Sequence, residues 1–245
     1  VLFRRRLTSA LLAAATLCVG NAAHAFSLAA FKWEQPQYGA PVTITYSFSN
    51  LFDGSLLDSQ NVPVPTAILR PSVEQALSLW ALYAPLHFVE LADSGPLPSD
   101  QPYSGIGLPQ IRIGHHPIDG FGSFKAHAYY PGVDANGIPG DLHFDVLDRW
   151  DVLGTITYPD VLGAAIHELG HSLGLDHSTV IGANMFPLFP RMSGLGTGYL
   201  TDDDIAGIQG MYGAGIGSVT PIPAPPTLVL MLTSLAALGL GRKSR

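Results

Sequence analysis

The segment His167-Glu168-Leu169-Gly170-His171-Ser172-Leu173-Gly174-Leu175-Asp176-His177 sets three histidines and a glutamate at spacings that suit one metal ion. His167 and His171 stand four positions apart, so on a helix both imidazoles share one face and reach a common point. Glu168 comes one position round the helix, at the flank of that point where a water would bind. A third ligand from the same helix would close the site, so the chain has to turn back. Gly174 supplies the turn, because a glycine just past a helix end takes positive φ at little cost. His177 then completes three neutral imidazoles with a fourth position open, the arrangement of catalytic rather than structural zinc. A buried helix whose histidines merely satisfy core hydrogen bonds would not require this joint spacing of histidine, glutamate and glycine.

Such a site needs rigid elements to hold it. Val42 to Phe48 (VTITYSF) alternates β-branched and aromatic residues and reads as a strand. Residues 50–65 are rich in turn formers and read as a loop. Residues 71–83 read as a helix, with Pro71 in the first turn and Val73, Ala76, Leu77 and Trp80 on one stripe. Residues 86–91 and 110–114 are short strands separated by a Pro/Gly/Ser-rich loop, and two further extended pieces surround His127 and His143. Residues 158–173 form the expected zinc helix, and residues 201–212 a last helix opened by Thr201 with acids in its first turn.

The chain has 245 residues, of which 47% are hydrophobic, enough for one substantial core. Arg4, Arg5 and Arg6 precede an apolar run from Leu7 to Val19, and Ala23-His24-Ala25 has the small-x-small form of a cleavage site, so residues 1–25 read as a signal peptide. The expected catalytic domain is 26–214. Residues 215–245 then comprise a linker, the proline-rich Pro221-Ile222-Pro223-Ala224-Pro225-Pro226, an apolar run and a basic end. This tail resembles the PEP-CTERM sorting tails of exported Gram-negative proteins, with Ala224 where that motif carries glutamate. It implies an extracellular or cell-surface enzyme, tethered to the membrane before sorting, with transient membrane contact through the tail. As a transmembrane helix the apolar run would span about 22 Å, short of a lipid core of about 30 Å. Cys18 is the single cysteine and lies in the expected signal, so neither a disulfide nor a cysteine latch on the metal is expected after it. Of the 12 basic residues six lie in the two terminal segments, whereas all 19 acidic residues lie between them. The expected domain thus carries 6 basic against 19 acidic groups, a net −13, which argues against nucleic acid as a partner and suits calcium.

Around the zinc motif, more of the chain resembles the matrixin branch of the metzincin peptidases. Ser178 follows the third histidine as in matrixins, and Asn184-Met185-Phe186-Pro187 is similar to the Met-turn beneath the metal. Ala126-His127-Ala128 and Gly140-Asp141-Leu142-His143-Phe144-Asp145, with Trp150, resemble the segments that hold a structural zinc and calcium. Leu200-Thr201-Asp202-Asp203-Asp204 is similar to the start of the family's last helix. The resemblance implies an α+β fold, a twisted mixed sheet of about five strands with three helices and a zinc cleft. It implies His116, His127 and His143 for the structural zinc, with His115 as the alternative to His116. The family carries an aspartate ligand shortly after that first histidine, and the short His116-Pro117-Ile118-Asp119 connection leaves no room for it. The same resemblance implies a calcium site from Asp119, Gly120, Gly122, Phe124, Asp145 and Asp148. Gln110, where a carboxylate is usual, leaves Asp141 with little help for a further calcium. Lys125 replaces an apolar residue and is expected to favour acidic substrates. Gly163, four before His167, is expected to leave a deep specificity pocket. If the chain starts at Phe26, its ammonium group is expected to pair with Asp203 or Asp204.

The function expected from these residues is hydrolysis of protein or peptide substrates by a monomeric, secreted zinc endopeptidase, with Glu168 as general base and Met185 as an apolar floor. Two other functions fit a metalloprotease fold, a non-catalytic surface-binding module and an amidase acting on cell-wall peptides. An intact Glu168 and three ligands argue against the first.

Overall fold

The computed structural model describes residues 25–101, 103–104, 107–132, 138–151, 160–187 and 199–222. The expected signal before residue 25 and the apolar tail after residue 222 lie outside the described residues. Among those described, no helix is long and apolar enough to cross a membrane.

Among the described residues, eight strands and three helices follow the order β1 (Ser27–Leu28), β2 (Val42–Phe48), α1 (Thr66–Ala81), β3 (Leu86–Glu90), β4 (Ile111–His116), β5 (Ala126–Ala128), β6 (Leu142–Asp145), α2 (Val161–Ser172), β7 (Leu175–Asp176), α3 (Asp202–Tyr212) and β8 (Ser218–Thr220). Six strands form one sheet in the order β5-β6-β4-β2-β3-β8. All neighbours are parallel except β5, which runs antiparallel to β6 and forms the sheet's edge. The mixed sheet and three helices are the α+β architecture expected. β8 is an addition: residues past the expected boundary at 214 continue the sheet on β3. A small second sheet joins β1 to β7.

The core follows from the patterning. Ile44 and Tyr46 of β2, Phe88 of β3, Ile111 and Ile113 of β4 and Phe144 of β6 are fully buried. They meet Val73, Leu77 and Trp80 of α1 and the α2 residues Ala165, Ile166 and Leu169 in one cluster. The Trp80 indole donates to the Ile166 carbonyl at 3.0 Å and fixes α1 against α2.

α1 begins five residues before the expected start at Pro71. Pro65 occupies the N-cap position, and Pro71 lies inside the helix, where its ring forgoes one hydrogen bond. Leu69 before the proline and Val73, Ala76, Leu77 and Trp80 after it are all buried, so the core holds the helix on both sides of Pro71. α2 is buried along its whole length, with Asp160 as N-cap, and 158–159 of the expected helix lie outside the described residues. α3 starts with the expected cap: Thr201 and Asp204 form a reciprocal capping box.

Candidate active site and metal centres

α2 presents His167 and His171 one turn apart and ends at Leu173, after which Gly174 takes φ +98° and reverses the chain. The turn is pinned by the Tyr212 hydroxyl on the Leu173 carbonyl (2.8 Å) and the Trp33 indole on the Ser172 carbonyl (2.9 Å). Both bonds satisfy carbonyls that a helix end leaves open. The returning strand brings His177 back, and His171 Nε2 lies 3.2 Å from His167 Nε2 and 3.3 Å from His177 Nε2.

These distances carry chemical information. His167 Nδ1 donates to the Asn184 carbonyl at 2.6 Å and His171 Nδ1 to the Leu175 carbonyl at 2.8 Å. Each therefore turns a bare Nε2 lone pair toward the other. Burial pushes the His167 imidazole down to about 3 and that of His171 down to about 4, so at neutral pH no proton settles between them. Ligands about 2.0–2.1 Å from a tetrahedral zinc stand roughly 3.3–3.4 Å apart, so the three nitrogens fit the edges of such a site. Glu168 is buried beside them, and desolvation pushes its carboxyl up to about 8. A cation on the three imidazoles would draw it back toward the ionised form.

Met185 lies beneath α2, with its thioether packed so closely on Gly170 that any side chain there would collide with it. The turn carrying Met185 hangs on Asp204. That carboxylate accepts from the Asn184 amide (3.0 Å), the Asn184 side chain (2.8 Å) and the Met185 amide (3.0 Å), and also from the Thr201 amide and hydroxyl. Asp203 takes the Ser178 hydroxyl at 2.6 Å and the Ala25 backbone amide at 2.8 Å. The partner of Asp203 is therefore the peptide nitrogen before Phe26, and Asp204 faces the Met-turn, not the N-terminal segment. Only the aspartate pair of α3 was legible in the sequence; the hub role of Asp204 was not.

The three histidines and Glu168 line a cleft of about 680 Å³, walled on one side by Phe124 to Ala128. Tyr130 stands at its end, its ring edge-on to His171 with centroids 5.6 Å apart and its hydroxyl on Asp176 at 3.1 Å. Gly163 is not among the residues lining this cleft. It sits in the first turn of α2, its amide on the Asp160 carboxylate at 2.5 Å, where an added Cβ would press on that carboxylate at 3.2 Å.

A second cluster gathers His116 of β4, His127 of β5 and His143 of β6, three adjacent strands of the sheet. His127 Nε2 lies 3.1 Å from His143 Nδ1. The strand's alternation decides between the neighbouring candidates. His116 faces the cluster, and His115 faces the other way, bonded to Asp53 at 2.9 Å. Asp100, which the sequence did not single out, joins the three histidines.

The expected calcium residues also come together. Asp145 accepts from the amides of Asp119 (3.3 Å), Gly120 (3.2 Å) and Leu147 (2.8 Å), while Asp119 accepts from the Phe124 amide at 3.2 Å. Asp148 accepts from the Gly122 amide at 3.1 Å and from the Lys125 ammonium at 2.6 Å, and its second oxygen is buried with no hydrogen-bond partner. Lys125 is thus engaged by the acidic loop while it also lines the cleft. At the doubtful further site, Gln110 turns to Thr45 (3.0 Å), while Asp141 takes the Tyr103 hydroxyl (2.5 Å) and the Arg112 amide (3.1 Å). Its carboxylate is satisfied by protein donors.

A family profile described as Matrixin matches residues 41–213. Mouse stromelysin-1 is 37% identical over 173 residues, 68% of this chain and 32% of that protein. Pig interstitial collagenase is 39% identical over 155 residues, 61% of this chain and 29% of its own length, and the rabbit enzyme 34% over 195 residues, 78% and 35%. The chain therefore spans about a third of the length of these curated relatives. With the profile covering most of the chain and the histidine site in place, the chain belongs to the matrixin family.

Proposed function

We propose that this chain is a secreted zinc endopeptidase acting on extended protein or peptide segments. The observation that carries the reading is the convergence of three imidazole nitrogens beside a buried glutamate in an open cleft. His167, His171 and His177 would hold the zinc, which when bound supplies Lewis acidity and brings the pKa of water toward about 7. Glu168 accepts the proton of the attacking water on its carboxylate and returns it to the departing amine nitrogen. Met185 and the Asn184 carbonyl hold the histidine helix from below and fix the tautomer of His167. β5 is the sheet edge along the cleft, and β6 pairs with only one of its sides. Its other side is free to add a peptide strand, which selects substrates able to extend.

Export rests on the expected signal at 1–25, and anchoring before sorting on the tail. Incubation with a peptide library and reading of the cut sites by mass spectrometry tests the reaction. Cleavage that a zinc chelator abolishes and added zinc restores is expected. Turnover of peptidoglycan stem peptides alone would make the enzyme an amidase.

Asp119, Asp145 and Asp148 set three carboxylates against the one ammonium of Lys125, which leaves charge and a bare oxygen for a divalent ion of calcium's hardness. Removing calcium with zinc held constant is expected to lower the melting temperature. An unchanged melting curve would mean that Lys125 alone balances the loop.

A further inference from the structure

The connection between β3 and β4 does not wander. Its residues 93–100 lie along one face of β4, and their contacts advance in step with every second residue of the strand. Asp93 clamps the fully buried Arg112 guanidinium with two bonds, at 2.8 and 3.0 Å, and the Pro96 carbonyl accepts from the same group. Two residues along the strand, Gly114 leaves the space that Pro98 fills, since a Cβ there would stand 2.5 Å from the proline ring. Two further along, Asp100 reaches His116. Asp100 Oδ1 lies 3.5 Å from His116 Nε2 and 3.3 Å from His127 Nε2, and the Tyr129 hydroxyl donates to it at 2.8 Å.

The histidines need such a group. His116 Nδ1 donates to the Pro117 carbonyl at 2.8 Å, so its Nε2 is a lone-pair nitrogen, buried and without a hydrogen-bond partner. The carboxylate nearest in sequence, Asp119, is held by the Phe124 amide. The four ligating atoms of Asp100, His116, His127 and His143 lie within 4.8 Å of one another, and three of their separations, 3.1 to 3.5 Å, are close to the edge of a zinc tetrahedron. We propose that Asp100 is the fourth ligand of this second zinc, supplied from ahead of β4 instead of from the shortened connection behind it. The ion would then staple the β3–β4 connection to three strands at once. Only the identity of the metal rests on the peptidase reading above.

The test counts zinc in the full chain by elemental analysis after dialysis against a competing chelator, in a Glu168→Ala background that stops self-cleavage. Two zinc ions per chain are expected in the parent and one in Asp100→Asn, which keeps the side chain's shape. Asp100 is half exposed, so the change costs little packing. His171→Ala is expected to lose the other ion. Retention of the second zinc should weaken in Asp100→Asn by at least the tenfold to hundredfold that the loss of outer partners costs. Hydrogen exchange in 91–101 should quicken in Asp100→Asn and stay at the parent rate in His171→Ala. Two firmly held ions in Asp100→Asn would overturn the assignment, as would a parent whose single zinc disappears in His171→Ala. If peptides are not cleaved but Asp100→Asn still sheds an ion, the ligand stands and the peptidase reading falls.

Discussion

Glu168→Ala is expected to bind zinc as the parent chain does and to hydrolyse peptides about a hundredfold to ten-thousandfold more slowly, the range over which a positioned general base acts. The glutamate lies buried beside the three imidazoles and outside their ligand set, so its loss removes a proton acceptor and leaves the metal donors intact. Kinetics on a peptide that the library identifies, with zinc content measured on the same preparation, separate the two effects. Activity within tenfold of the parent would mean that another group moves the proton. Parallel loss of zinc and activity would mean that Glu168 holds the helix together and has no direct part in the chemistry.

Asp204→Ala should be the most damaging single change away from the metal ligands. One buried carboxylate accepts from two backbone amides of the Met-turn, one side-chain amide and both donors of Thr201. Removing it strands those donors in the interior, at about 3–5 kcal/mol for a group of this kind. At about 2–4 °C per kcal/mol for a domain of this size, the melting temperature falls by on the order of 10 °C. Zinc affinity should fall with it, since the Asn184 carbonyl that orients His167 hangs from the same carboxylate. Thr201→Ala is the control, losing only a helix cap worth about 1 kcal/mol. Melting curves of the two variants that coincide would show that Asp204 serves α3 alone.

The catalytic constellation was legible because its parts are local. His167, Glu168, His171, Gly174 and His177 fall within one helix and the turn after it, and helical periodicity and a left-handed glycine decide their positions. The capping box at Thr201 and the strand Val42–Phe48 were legible for the same reason. What escaped was settled by contacts between segments far apart in the chain. Asp100 sits in a proline-rich stretch that looks like any solvated loop until β4 is laid beside it. Asp204 reads as a first-turn acid that suits the helix dipole, and nothing nearby announces that Asn184 and Met185 will come to it. Lys125 does line the cleft, but its ammonium is held by Asp148, 23 positions on, a partner that no local pattern announces. β8 went unseen since three residues in a glycine-rich stretch give no pattern, and β3 alone supplies their partners.

β8 has a bearing on how the enzyme would work at a surface. It occupies the sheet edge opposite β5, and the Ile222 amide is tied there to Glu90 at 2.9 Å. Five strand spacings of about 4.8 Å separate the two edges, roughly 24 Å. The last described residue, Ile222, therefore lies on the side remote from the cleft. Held from that side, the domain would turn its cutting edge outward, toward what approaches from solution and away from whatever holds it.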